Sequence, residues 1–132
     1  MENWVKLRHD CSAFEMFTRL RTGVEDDVST RNGLKKPGEE VNFRVDANDS
    51  SFTVRREGPL GVCASVKFAW TPKEISVKPY SETSRAIYTA DSLSVTLTLT
   101  DEGECKLKLP QGEELTCWQF RKRVLEDLFF NF

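Results

Sequence analysis

Residues 41–58 read VNFRVDANDSSFTVRREG, and their alternation decides the fold. Val41, Phe43 and Val45 alternate with Asn42, Arg44 and Asp46. After the polar stretch NDSS, Phe52 and Val54 alternate with Thr53 and Arg55. Two period-two runs joined by a short turn-forming segment describe a β-hairpin, because successive side chains of a strand point to opposite faces. Each strand then has one dry and one wet side. That pattern belongs to an antiparallel sheet solvated on one face, since parallel strands are buried on both faces and read as continuous apolar runs.

Working outward, the same rhythm holds to about residue 110. Val62, Ala64, Val66, Phe68 and Trp70 alternate with Ser65 and Lys67, and Ile75 and Val77 follow the turn TPK. Leu93, Val95, Leu97 and Leu99 stand opposite a Ser/Thr row, and Cys105, Leu107 and Leu109 opposite Glu104, Lys106 and Lys108. The stretch SETSRAIYTADS reads as a strand centred on Ile87 in preference to a short helix capped by Ser81 or Ser84. The wet side carries Arg44, Arg55, Lys67, Lys78, Lys106 and Lys108 against Asp46, Glu57, Glu74 and Glu104. Without outward aromatic stacking platforms, those cations predict cross-strand charge pairs and not a single-strand nucleic-acid surface.

Either side of the sheet the period becomes helical. Phe14, Phe17, Leu20, Val24 and Val28 step by three and four, with Ser12 and Glu15 at capping-box spacing and Asn32-Gly33 as a left-handed stop. Gly23 weakens this helix at its middle, and Glu25, Asp26 and Asp27 form a solvated acidic run. Before it, Val5 and Leu7 suggest a strand edge. After PQGEEL breaks the strand pattern, Thr116 and Gln119 repeat the capping spacing and open a final helix. On a helical wheel Cys117, Trp118, Val124, Leu125, Leu128, Phe129 and Phe132 gather on one side, with Phe120 at its margin. The expected fold is therefore α+β: an N-terminal helix, an antiparallel sheet of six or seven strands, and a C-terminal amphipathic helix. Both helices cover the dry face of one domain spanning residues 1–132.

Composition restricts function mainly by exclusion. With 19 basic and 21 acidic residues among 132, the formal charge is -2, so bulk charge recruits no polyanion and no nucleic-acid partner is expected. No apolar run reaches membrane-span length, and the opening MENWVKLRHD resembles no signal sequence, so a cytoplasmic location is expected. In that compartment Cys11, Cys63, Cys105 and Cys117 are expected as four free thiols. Their single spacing beside one histidine excludes a common zinc site, and neither metal nor cofactor is expected. His9 is the only histidine available as a catalytic base, and it falls in the leader, so no catalytic residues are assigned and no enzyme is expected.

Two residues of the last helix escape a pure packing role. Arg121 falls near the centre of the apolar stripe, where its guanidinium either snorkels to solvent or holds an anion. Phe130 points to the polar side, and with Phe132 it marks a docking or self-association surface. Three functions follow in order of preference. The first is a non-catalytic protein-interaction module of adaptor or chaperone-like kind. The second is a carrier or sensor of a small apolar or anionic ligand, bound between the sheet and the last helix with Arg121 as anchor. The third is an enzyme using the turn carboxylates Asp49, Asp91, Asp101 and Glu102. An internal cavity larger than a few waters favours the second over the first.

Overall fold

The hairpin of residues 41–58 forms as β1 (Asn42–Ala47) and β2 (Ser51–Gly58), with Val45 opposite Val54 and Ala47 opposite Phe52. A computed structural model describes residues 3–82, 87–89 and 92–132, with the backbone alone for residues 62, 63, 81, 82 and 87–89. The turn is built by Asn48, whose Oδ1 accepts the backbone N–H groups of Ser50 and Ser51 at 3.0 and 2.9 Å. An Asn side chain used this way mimics a backbone turn and fixes the hairpin register.

The sheet continues through β3 (Gly61–Trp70), β4 (Ile75–Glu82), β6 (Leu93–Leu99), β7 (Cys105–Lys108) and β8 (Glu114–Leu115), all antiparallel, in the order β1-β2-β3-β4-β6-β7-β8. A short β5 (Ile87–Thr89) pairs with the end of β4. Ile87 is thus in a strand, as expected, while residues 83–86, with the alternative cap at Ser84, lie outside the described residues. β8 is the element that sequence reading missed: its two residues fall inside PQGEEL, too short to show a period. The sheet is open, with β1 and β8 at its edges. In the β2–β3 hairpin, Gly61 takes φ 108°, a conformation that favours glycine over any residue with a Cβ.

Among the described residues three helices flank the sheet: α1 (Trp4–Asp10), α2 (Ala13–Gly33) and α3 (Cys117–Phe130). The strand edge expected at Val5 and Leu7 is instead α1, started by the Asn3 side chain accepting the Lys6 N–H; none of its residues is buried. α2 opens at Ser12, whose Oγ accepts the Glu15 N–H. Its end differs from expectation: no glycine there takes a positive φ, and Leu34 closes the helix by donating to Thr30 and Arg31 carbonyls. Asn32 has another use, its side-chain amide bonding both the N–H and the C=O of Phe43 at 3.0 and 2.9 Å. It thereby ties α2 to β1 and satisfies edge groups that β2 does not reach.

The core lies between the dry face and the two long helices. Phe17, Leu20, Phe43, Val66, Phe68, Leu107, Leu125 and Leu128 are buried, as their positions in the pattern require. Trp70 and Leu97, expected with them, are only partly buried. Phe14 is displaced further, half exposed with its ring edge-on to Trp70 at 5.3 Å. On α2 the fully enclosed arc runs through Met16, Leu20 and Val24, which places Phe14 at the margin of the sheet's cover.

The cysteines overturn the expectation of four free thiols. Cys11, at the α1–α2 corner, is disulfide-bonded to Cys105 at the start of β7, 94 residues away, with Cα atoms 5.3 Å apart. That separation lies in the range a disulfide bridges, and only the fold brings the two together. Cys117 is free, and the Cys63 side chain lies outside the described residues. A disulfide withdraws the thiol argument for a reducing compartment. Among the described residues no helix is long and apolar enough to cross a membrane.

Candidate functional site

The sites worth weighing all involve α3, because it is the element that both closes the core and leaves surface open. Its start is a full capping box: Thr116 Oγ1 accepts the Gln119 N–H, and the Gln119 side chain accepts the Thr116 N–H at 2.9 Å. Phe120, Leu125, Leu128 and Phe129 are buried beneath it. The helical wheel puts Phe120 at the margin and Trp118 in the dry stripe, and the structure reverses them: Phe120 is 0% and Trp118 58% exposed. Residues two apart on a helix lie more than half a turn from one another, so seating Phe120 in the core carries Trp118 out past α2.

Arg121 lies on the flank of α3 that meets α2. Its Nε donates to Asp27 Oδ2 at 2.8 Å, and a terminal nitrogen reaches Cys117 Sγ at 3.4 Å. Partial burial by itself would lower the guanidinium's pKa, yet the bonds to Asp27 and Cys117 outweigh it and leave the group more strongly basic than usual. The chain therefore supplies the partner that a half-buried arginine demands. Gly23 has its reason here. A Cβ built on it would stand 2.5 to 2.9 Å from the Arg121 guanidinium and Cδ, so the mid-helix glycine is the notch in which the arginine lies.

Two further arginines grip the other end of α3, and sequence reading missed both. Arg31, 8% exposed, donates from Nε to the Phe129 carbonyl at 3.0 Å and pairs with Glu39. Arg56 donates to the Leu128 carbonyl at 3.0 Å. The last carbonyls of a helix lack internal partners and carry the negative end of its dipole, and α3 has no basic residue in its own last turn. The cations come from α2 and β2 instead. Arg56 was visible in principle: Phe52, Val54 and Arg56 share one side of β2, so the alternation puts an arginine on the dry face. The same arginines engage the terminal rings. The Arg31 guanidinium lies 5.4 Å from the Phe130 ring and that of Arg56 lies 4.1 Å from Phe132, although the two phenylalanines are 64% and 60% exposed.

On the flank away from α2, α3 stands off the sheet and leaves a cleft of about 450 Å³. Ala64, Val66, Val77 and Leu93 form its floor, with Val124 and Leu128 as the helix wall. Arg123 and Asp127 stand at its rim, each already engaged. Arg123 makes a bidentate pair with Glu113 at 2.7 and 2.9 Å, and Asp127 accepts the Asn131 amide at 2.6 Å. The Arg123 guanidinium holds the Glu113 carboxyl below its ordinary pKa.

The remaining candidates do not converge. Asp49 lies in the β1–β2 turn and Asp101 and Glu102 in the β6–β7 turn, with β3 and β4 between the two hairpins; at about 4.8 Å per strand they share no site. Asp91 lies outside the described residues. His9 is exposed and pairs with Asp10 at 3.1 Å. The wet face carries the expected cross-strand pairing: Arg55 bonds Asp46 at 2.5 Å and Arg44 lies 2.8 Å from Glu57. Lys67 and Lys78 face each other across β3 and β4 as like charges. No family model, curated protein or solved structure matches the chain.

Proposed function

We propose that the protein is a non-catalytic carrier or sensor, holding a small ligand with an apolar body between the sheet and α3. One observation carries this reading: the cleft of about 450 Å³ whose floor and helix wall are apolar side chains. Ligand sites are concave, mostly apolar and begin at roughly 300 Å³, with a few polar groups fixing orientation. Arg123, Asp127 and Asn131 stand at the rim to do so, and Arg121, tied to Asp27 on the opposite flank, is not the anchor. Arg123 is committed to Glu113, Asp127 accepts the Asn131 amide and the cleft-lining Arg56 bonds the Leu128 carbonyl, so hydrogen-bonding ends suit the cleft better than a bare anion. Native mass spectrometry of the protein from its own source should report a retained small molecule. In the apo protein, a fluorescent apolar probe should bind and should be excluded by Leu93→Trp, which fills the cleft from its floor. Equal probe binding by the folded Leu93→Trp protein sinks the reading.

A second reading, an adaptor or chaperone-like docking module, is favoured by the outward rings of Trp118 and Phe130. These flank a shallow groove with Asp27 and Lys122. Phe130→Ser together with Trp118→Ser should then weaken self-association or partner capture in sedimentation. An unchanged sedimentation coefficient across a wide concentration range removes self-association from it.

A further inference from the structure

At the start of α3, opposite the end that borders the ligand cleft, a second cleft of about 410 Å³ is lined by Cys11, Cys105 and Cys117 together with Met16, Leu99 and Thr116. Cys11 and Cys105 form the disulfide, and Cys117 keeps a free, half-buried thiol. Cys117 is the first residue of α3, and the Arg121 guanidinium donates to its Sγ at 3.4 Å. Arg19, Asp10 and Glu104 line the same cleft, so the charges around the thiol are mixed in sign.

The strand register brings in an independent argument. Leu107 stands opposite Leu115 and Lys108 opposite Glu114. Counting the same antiparallel pairing two residues further on each chain puts Cys105 opposite Cys117, on the side that Leu107 and Leu115 share. Facing residues of an antiparallel pair hold their Cα atoms about 4.5–5.5 Å apart, inside the span of about 4.4–6.8 Å that disulfides take. The ladder stops at Leu115 because Thr116 begins the helix cap, yet both cysteines still line one cleft. Cys105 is bonded to Cys11 from the helical corner and shares the cleft with Cys117 from the neighbouring segment.

We propose that these three cysteines form a thiol–disulfide exchange site, in which the cross-link moves between Cys11–Cys105 and Cys105–Cys117. The Cys117 thiol loses its proton to water, and the thiolate attacks Cys105 Sγ. A Cys117–Cys105 bond forms as the Cys105–Cys11 bond breaks, and the electron pair leaves on Cys11 Sγ, which takes a proton from water. One disulfide and one thiol stand on each side, so no oxidant or reductant is consumed. The structural consequence falls on α1, which buries none of its residues and is fastened to the sheet through the disulfide at Cys11. Exchange detaches that corner from β7.

The test is disulfide mapping on the full chain carrying Cys63→Ser, which removes the fourth sulfur. The protein is held in a mixture of reduced and oxidised glutathione, quenched in acid, alkylated and digested with trypsin, which leaves each cysteine on its own peptide. A Cys105–Cys117 linked peptide should appear beside Cys11–Cys105. Its rate of appearance should fall on acidification, because only a thiolate attacks a disulfide. Adding Cys11→Ser should make Cys105–Cys117 the sole link in the oxidised protein. Cys117 recovered fully alkylated in both proteins, or linked to Cys11 instead of Cys105, overturns the proposal.

Discussion

The two flanks of α3 are closed in different ways. Towards α2 the contact is tight and polar: Arg121 lies across Gly23 and ends on Asp27. Towards β3, β4 and β6 the helix stands away from apolar side chains and leaves the cleft. A glycine on one neighbour lets the helix sink, while Leu128 and Val124 hold it off the sheet on the other side. What spaces a helix over a sheet is thus the size of a few side chains at its edges, and the same helix can be a lid along one flank and a wall along the other.

The strongest way to break this comparison is to remove a residue common to both roles. Leu128 is 6% exposed in the core and also lines the cleft. Leu128→Ala should cost about 2–5 kcal/mol, the usual range for truncating a buried leucine, and should widen the cleft. A guanidinium midpoint that does not move would mean that α3 is not a lid at all.

The α2 flank is tested more sharply by a change of sign. In an ordinary helix interior Gly→Ala stabilises by about 1 kcal/mol. At Gly23 the added methyl must displace the Arg121 guanidinium from its notch, at the expense of the Asp27 pair, so Gly23→Ala should yield no gain in the natural chain. With Arg121→Ala in place, the same substitution should recover the full helix benefit of about 1 kcal/mol. Equal effects in the two backgrounds, measured by chemical denaturation, would show that the arginine does not occupy the notch.

How much of this was legible beforehand depends on the range of the interaction. The strands from Val41 to Leu109, α2 and the capping box of α3 follow from local periods and short-range side-chain bonds, which one chain segment carries whole. Gly23 and Arg121 were each conspicuous alone, a weak spot in one helix and a charge in the stripe of another. Their relation was hidden because it joins residues almost a hundred positions apart. The disulfide escaped for the same reason. β8 escaped because two residues carry no period, and α1 because its apolar residues are too few to separate helix from strand. The cleft was least legible of all: it is a gap, and sequence records only the residues around it.

The smallest effect concerns the ion pairs that serve the two flanks, and pH separates them. Glu39 holds Arg31, which binds the end of α3, and the bonds it accepts from Arg31 and the Lys36 N–H keep its carboxyl below the ordinary value of 4.5. Glu113 holds Arg123 at the cleft rim, and that guanidinium lowers its carboxyl likewise. A carboxyl depressed in the folded state contributes stability that is complete above its unfolded pKa and is lost as pH falls through the folded one. Both pairs should therefore be silent at neutral pH and weaken on acidification below about 4.5, the unfolded value. The two should differ in degree. The side chains of Arg31 and Glu39 are 9% and 19% exposed, those of Arg123 and Glu113 48% and 40%, so water and salt screen the rim pair more. Glu39→Gln should flatten the acid limb of a midpoint-against-pH curve visibly, and Glu113→Gln by less. An acid limb steeper in Glu39→Gln than in Glu113→Gln would reverse the ranking of the two flanks, making the cleft rim and not the buried arginine the stronger hold on α3.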